Sequence, residues 1–511
     1  MVRGFVGFTG YNVQTETVRT AAISSPRKAP LAALRSADAR ESQVVCQNSQ
    51  GAEIRANLLR LTRHAVVFEV YNCDLALRMS EVLEDFKVSV EGRDVYDGRA
   101  VISNLLSTGT ALVCEARLDD ASLTLPPFCS TGNGEPSLRD HFAEFANRWR
   151  RFHQVRPEFK DVLGDMQTFL SDLRIWLDQV EIDIRSCPSG DRMDRERKAI
   201  DELAEPVVAG INSFIERFET IAASLEEELH PVHRAYLRRQ LHPLVLCSPF
   251  AYRTFHKPLG YAGDYEVVNM MMRPPYEGST LFAKMINFWL LSQAPVLAHR
   301  NRVAYLTRKL TEEALNARAH GRVCRVYNLG CGPAAEIHQF LAQPVLGECL
   351  QFTLADFNEE TLAHVRTALE GAKRTHGCST RIDYLKRSVQ QVIKEAGRGL
   401  SPASESRFDF IYCAGLFDYL SDPVCKRLTG ILYDLLAPGG LLVTTNVSDA
   451  MNRSHPFRHS MEYILDWHLI YRNGPGLSAL APERGFEEGG RLVAEDTGVN
   501  VFIEIRKPGH E

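Results

Sequence analysis

The residues best suited to chemistry fall in two stretches. The first is Asn328-Leu-Gly330-Cys-Gly332-Pro-Ala-Ala-Glu336, which follows the apolar run Val323-Cys-Arg-Val-Tyr327 and opens an amphipathic pattern. This reads as strand, tight turn and helix. Gly330 and Gly332 let the main chain turn sharply and admit a ligand close to it, and the helix behind them offers unpaired N–H groups. Further on, the run Leu350–Ala355 ends at Asp356, which places a carboxylate at the tip of the neighbouring strand, where ribose hydroxyls bind. Together they predict an adenosine ligand. The second stretch is Tyr252-Arg-Thr-Phe-His256-Lys257-Pro-Leu-Gly260-Tyr261-Ala-Gly263-Asp264-Tyr265-Glu266. Its aromatics, glycines and ionisable groups are too dense for a linker. A Gly-x-x-Gly turn displaying Tyr261 and Asp264 is predicted to fold over the active site, the plainer alternative being a structural loop packed on helices.

Further marks follow the glycine turn. Phe408–Leu420 reads as a buried strand running into a loop, a helix then ends at Leu436-Ala-Pro-Gly-Gly440, and Leu441–Val447 is a fifth strand. On these residues the chain resembles the class I S-adenosyl-L-methionine (SAM)-dependent methyltransferases over roughly residues 301–507. The resemblance implies an α/β, Rossmann-like seven-stranded domain, SAM as cofactor and methyl transfer. It also implies cofactor contacts: Arg302 to the carboxylate, the Gly330 and Gly332 turn, Asp356 to the ribose and Phe357 beside the adenosine. Ser388 and Val389 would lie beside the adenine, with Ala414 and Gly415 leaving space at the sulfonium. Two positions depart from the pattern, Asn328 where an acidic residue is usual and Ala334 where a third glycine is usual. A nicotinamide-dependent dehydrogenase shares such a turn, but the Pro-Gly-Gly turn and the closing hairpin Arg491–Arg506 favour the methyltransferase.

A narrower resemblance rests on Lys257–Tyr265, Asn328–Glu336, Cys413–Leu420 and Trp467–Arg472, which are similar to the PhcB-type 3-hydroxy fatty acid methyl ester synthases. It implies methylation of a fatty-acid carboxylate, free or carrier-bound, to give a quorum-sensing ester. The insertion 448–472 is predicted to cap the acceptor pocket. Arg453, His455 or His459 would hold the acceptor carboxylate, and Trp467 and Tyr471 would contact its chain. Tyr261, Tyr265 and Tyr419 are candidates to orient the carboxylate or embrace the sulfonium by cation–π contact. Asp264 is the candidate base if the acceptor is a hydroxyl or amine. Met270–Met272, Phe282, Phe288 and Trp289 would line an acyl pocket or form ordinary core. Methylation of another small hydroxyl or amine, and a nucleotide-sensing scaffold with a non-catalytic SAM domain, remain open.

The elements that must position these residues divide the 511-residue chain. Residues 1–41 read as a flexible arm. Residues 42–125 alternate and turn like a small β-barrel, similar to a degenerate PilZ-type domain. Arg60 and Arg63 are spaced too closely for that family's nucleotide motif, and Asn72-Cys-Asp-Leu-Ala-Leu77 lacks its serine and glycine, so a docking or dimerisation barrel is expected ahead of a nucleotide sensor. Residues 137–248 carry helical periodicity and suggest a hairpin or a homodimer bundle. Residues 249–300 form a substrate cap and 301–511 the methyltransferase domain. A net charge of −5 without a basic stripe argues against nucleic acid, and no apolar run reaches membrane-spanning length. Twelve cysteines without CxxC pairs fit a reducing cytoplasm and suggest neither disulfides nor zinc. His230, His233 and His242 would form a metal cluster only if the helix around Pro231 brought them together.

Overall fold

The computed structural model describes residues 42–62, 65–70, 77–90, 93–107, 112–118, 139, 143, 146, 154–186, 191–398, 407–449 and 456–509. The arm expected at 1–41 lies outside them, as do Arg63, Arg453 and His455.

Strands β1 (Gln43–Gln47), β2 (Glu53–Leu61), β3 (Ala65–Val70), β4 (Val82–Val90), β5 (Arg93–Ser107) and β6 (Leu112–Leu118) close a barrel in the order β1-β2-β3-β6-β5-β4. Period-two alternation points Val44, Ile54, Phe68, Phe86, Ile102 and Cys114 inward, where they are fully buried. The interior is therefore packed with side chains.

A helical layer follows. Helix α1 (Pro157–Arg185) starts with proline at its first position and buries Phe159, Val162, Leu163, Met166 and Leu170 along one stripe. Helix α2 (Arg192–Ala223) packs against it through Ile200, Ile211, Ile215 and Phe218. Next come α3 (His230–Val245), α4 (Pro249–His256), α5 (Tyr265–Met272), α6 (Leu281–Leu291) and α7 (Ala294–Ala319). Ser248, Asp264 and Thr280 each accept N–H groups that the first turns of α4, α5 and α6 leave unpaired. Among the described residues no single helix is long and apolar enough to cross a membrane.

The remainder is a seven-stranded sheet. Its elements are β7 (Cys324–Leu329), α8 (Ala335–Leu341), β8 (Leu350–Asp356), α9 (Glu359–His376), β9 (Arg381–Lys386) and α10 (Val389–Gly397), then β10 (Phe408–Cys413), α11 (Asp422–Asp434), β11 (Leu436–Val447), α12 (Arg458–Ile464), β12 (Gly490–Ala494) and β13 (Asn500–Arg506). The strand order is β12-β13-β11-β10-β7-β8-β9. Strands β9, β8, β7, β10 and β11 are parallel, while β13 runs antiparallel to β11 and β12 closes the edge as a hairpin. Helix α11 ends at Asp434, before the Pro-Gly-Gly turn expected to terminate it, and β11 begins at Leu436. The order reverses at β7, so a crevice opens at the carboxyl ends of β7, β8 and β10.

One apolar core joins α1 through α7 to the segment Phe457–Leu469. The cap and the insertion after β11 therefore pack as one body above that crevice.

Candidate active site

Gly330 and Gly332 turn the chain with positive φ of 73° and 51°. The Gly332 N–H donates to Asp356 Oδ2 at 3.2 Å, and the Asn358 N–H to Oδ1 at 3.0 Å. These bonds fix the carboxylate at the tip of β8, while burial pushes its pKa up. Ala334 sits at φ 51°, ψ 47° just before α8, the left-handed conformation a glycine would take freely. A crevice of about 820 Å³ lies over this turn, lined among others by Tyr261, Arg302, Gly330, Gly332, Asp356 and Ala414.

A carboxyl group of the helix lies beside Asn328. Glu336 is 7% exposed and borders the same crevice. Its Oε1 accepts the Tyr412 hydroxyl at 2.7 Å and the Asn328 amide at 3.3 Å. Asn328 thus orients a carboxylate in place of being one.

A second space of about 820 Å³ adjoins the first, walled by Phe250, Met271, Leu290, Phe457, Met461 and Trp467. Gly263, Val268, His299, Arg302, Gly415 and Tyr419 border both. At this throat the Arg302 guanidinium packs on Gly415, where an added Cβ would come within 2.7 Å of Nη1. Arg302 Nη2 donates to His299 Nδ1 at 2.8 Å. Burial, and then the neighbouring Arg302 and Arg300, hold the His299 pKa well below its ordinary range. The ring is therefore neutral and carries its proton on Nε2. Asp418 lines the apolar space, with burial raising its pKa, and accepts the Val447 N–H at 2.5 Å.

Other residues chosen from the sequence are placed differently. Tyr261 borders the crevice, but its ring packs on Phe357 at 5.1 Å, the ribose side of the turn. Asp264 lines neither space: it caps α5 through the Glu266 and Val267 N–H groups and accepts Arg253 Nε, so its oxygens are engaged and a role as base does not fit. Tyr265 also faces away, donating to Glu360 at 2.8 Å and stacking on His364. Ser388 and Val389 lie at the start of α10, where Ser388 forms a capping box with Gln391, and neither borders the crevice. His459 stacks on His230 and faces a separate cleft, and Tyr471 lies beneath Arg458 outside both spaces. Of the acyl-pocket candidates Met271 lines the apolar space, whereas Phe282 and Trp289 are core.

The three histidines considered as metal ligands are engaged elsewhere. His230 bonds Tyr463, His233 bonds the Arg156 N–H and the Leu229 carbonyl, and His242 bonds the Ile464 carbonyl. Among the described residues no group of His, Cys, Asp or Glu could hold a metal ion.

His299, Glu336, Asp418 and Arg78 were not singled out in the sequence. Glu336 was within the glycine motif, and a carboxylate one turn into the helix after an Asn-for-acid replacement is a readable signal. The other three come together only through tertiary packing.

The chain matches no protein-family model and no curated protein. Solved structures align with parts of the chain at low identity. A "possible exported protein" from Bordetella parapertussis is 17% identical, with 51% of this chain and 86% of that one aligned at a TM-score of 0.39. The SAM-dependent methyltransferase SibL is 16% identical over 60% and 89% of the two chains, TM-score 0.31. The N-methyltransferase NodS from Bradyrhizobium japonicum is 15% identical over 48% and 98%, TM-score 0.28. The strand order, rather than these distant likenesses, carries the assignment of the fold.

Proposed function

We propose that the chain is a SAM-dependent methyltransferase that esterifies the carboxylate of an acid with an apolar body. The resemblance in its sequence makes a 3-hydroxy fatty acid, converted to a diffusible methyl ester signal, the acid of choice. One observation carries the reading: a glycine-floored crevice with a ribose-type carboxylate shares Gly263, Val268, His299, Arg302, Gly415 and Tyr419 with an adjoining space whose other walls are mostly apolar. A crevice for a nucleoside and a cavity for a lipid-like body would be joined at the point of transfer.

The residues present fit SAM. Asp356 would take the ribose hydroxyls, the Gly330–Gly332 turn would admit the nucleoside close to the main chain, and Glu336 would face the cofactor's ammonium. When bound, SAM supplies a methyl group on a positively charged sulfur, which an ionised carboxylate accepts without first losing a proton. The chain's own contribution is then to bind, orient and dry the acceptor. Among the described residues Arg302 is the only lysine or arginine lining the apolar cavity, and it stands at the throat. With the Nε2–H of His299 it would hold an anionic head there. The apolar walls exclude water, which strengthens that electrostatic contact, and alignment supplies most of the acceleration.

Asp418 supports a second reading. Its buried carboxylate lines the same cavity, so it would serve as a base for a hydroxyl or amine acceptor.

Purified protein incubated with methyl-labelled SAM and a panel of medium- and long-chain 3-hydroxy acids, free and carrier-linked, tests both. Mass spectrometry should identify a methyl ester. Methyl ether or methylamine products, formed only from acceptors carrying a hydroxyl or amine, would replace the first reading by the second. SAM binding without transfer to any acceptor would sink both.

A further inference from the structure

The barrel reaches into the crevice. Its fourth strand is entered through Leu77-Arg-Met-Ser-Glu81, and Met79, Ser80 and Val82 are each bonded to segments outside the barrel. The Met79 N–H donates to the Tyr419 carbonyl at 3.0 Å, and the Val82 N–H to the Gly260 carbonyl at 2.7 Å. The Ser80 hydroxyl donates to the His468 carbonyl at 3.0 Å and accepts the His468 N–H at 2.5 Å. The Glu81 carboxylate accepts the Arg78 N–H and both the N–H and hydroxyl of Ser49. Ser80 also has a positive φ of 58°, a conformation that persists only where the surroundings impose it.

This anchoring places Arg78 on the wall of the crevice that Asp356 and Tyr419 also line. Its guanidinium carbon lies 4.3 Å from the centroid of the Phe357 ring, and the residue is only 5% exposed. Its Nε is buried and among the described residues has no hydrogen-bond partner. A buried guanidinium donor without an acceptor is costly, and such groups in folded proteins are normally satisfied. An acceptor on a molecule filling the crevice would satisfy it.

We propose that Arg78 is a cofactor-holding residue contributed by the barrel, donating to the nucleoside part of SAM opposite Asp356, so that the crevice is complete only when the barrel is docked. This rests on the methyltransferase reading above. The barrel then acts as a wall of the site, and its packed interior is consistent with that role.

The test uses the full-length chain and binding measurements. Arg78→Met keeps the bulk of the side chain and removes its donors. Titration calorimetry should show SAM and 5′-methylthioadenosine, which lacks the amino-acid end, both weakened by roughly tenfold or more, as loss of a charge-assisted bond implies. Thermal melting without ligand should show a cooperative transition in the variant, since the unpartnered donor is lost together with the ring contact to Phe357. The stabilisation that saturating SAM gives the parent should shrink. Parent-like affinity in Arg78→Met overturns the proposal, as does weakening confined to SAM with 5′-methylthioadenosine unaffected. A lower melting temperature without ligand and parent-like binding would make Arg78 structural. Failure of the parent itself to bind SAM would instead remove the methyltransferase reading.

Discussion

The indole N–H of Trp467 donates to the hydroxyl of Tyr419 at 2.8 Å, joining the insertion after β11 to the loop after β10. Gly263 of the cap turn fits against both, since a Cβ there would lie 3.0 Å from the Trp467 ring and from the Tyr419 oxygen. Three separate segments thus meet at the throat. Trp467 borders the apolar cavity and not the crevice. In Trp467→Phe the lost bond should cost about 1 kcal/mol. Steady-state kinetics should show the acceptor KM raised severalfold, while titration shows SAM affinity within twofold of the parent. An equal loss of SAM affinity would contradict this division of the site.

Asp264 is fixed by its surroundings. It caps α5 and pairs with Arg253, and no oxygen remains to face either space. Asp264→Asn keeps a capping side chain and leaves Arg253 without its buried counter-charge, so stability should fall by about 3–5 kcal/mol. The turnover number per folded molecule should stay within about threefold of the parent, because no proton abstraction depends on this residue. Loss of activity by orders of magnitude with an unchanged melting profile would restore it as a base.

Much of this site could be read from the chain because the chemistry is local there. Gly330, Gly332 and Asp356 lie at the ends of strands marked by short apolar runs, and Trp467 stands in the insertion after the fifth strand read from the sequence. Other residues were legible in type and not in place. Tyr265, Ser388 and Asp264 carry groups suited to binding, yet helix ends and neighbouring side chains engage them first. Arg78 was invisible for the opposite reason. It lies far from the crevice in sequence, in a barrel whose own pattern explains it, and only docking through Met79, Ser80 and Val82 brings it to Phe357.

Asp466 makes the strongest structural prediction. It is fully buried at φ 54°, and its carboxylate receives Arg117 of the barrel at 2.7 Å, Arg238 of α3 at 2.8 Å and Lys257 of the cap at 3.1 Å. Although burial alone would raise its pKa, the three cations hold it well below the usual carboxylate range. Its stabilising contribution is present in full above the unfolded value of about 4 and is lost only as pH falls through the lower folded value. Asp466→Asn leaves three cations facing a neutral amide at pH 7 and should cost about 3–5 kcal/mol. Urea unfolding at pH 7 should show the loss, along with weakened docking of the barrel as increased protease sensitivity. A change below 1 kcal/mol would mean that the junction does not hold the barrel.

Histidines predict how stability varies in mild acid. Burial, and then the nearby Arg238, push His242 down to about 4. His459 is pushed down to about 4 as well, again chiefly by burial. Both rings are neutral in the folded chain at pH 5, whereas in the unfolded chain they take up protons below about 6.5. The unfolded state therefore binds more protons, and stability falls as pH drops from about 6.5 towards 4. His242 also donates from Nε2 to the Ile464 carbonyl, fixing it to the same helix that carries His459. Each histidine should contribute a loss of about 1–2 kcal/mol between pH 7 and pH 5, so the pair lowers stability by about 2–4 kcal/mol. Urea unfolding at the two pH values measures this, and His242→Gln should flatten part of the slope. A parent profile that is level from pH 7 to pH 5 would show that the rings protonate freely in the folded chain.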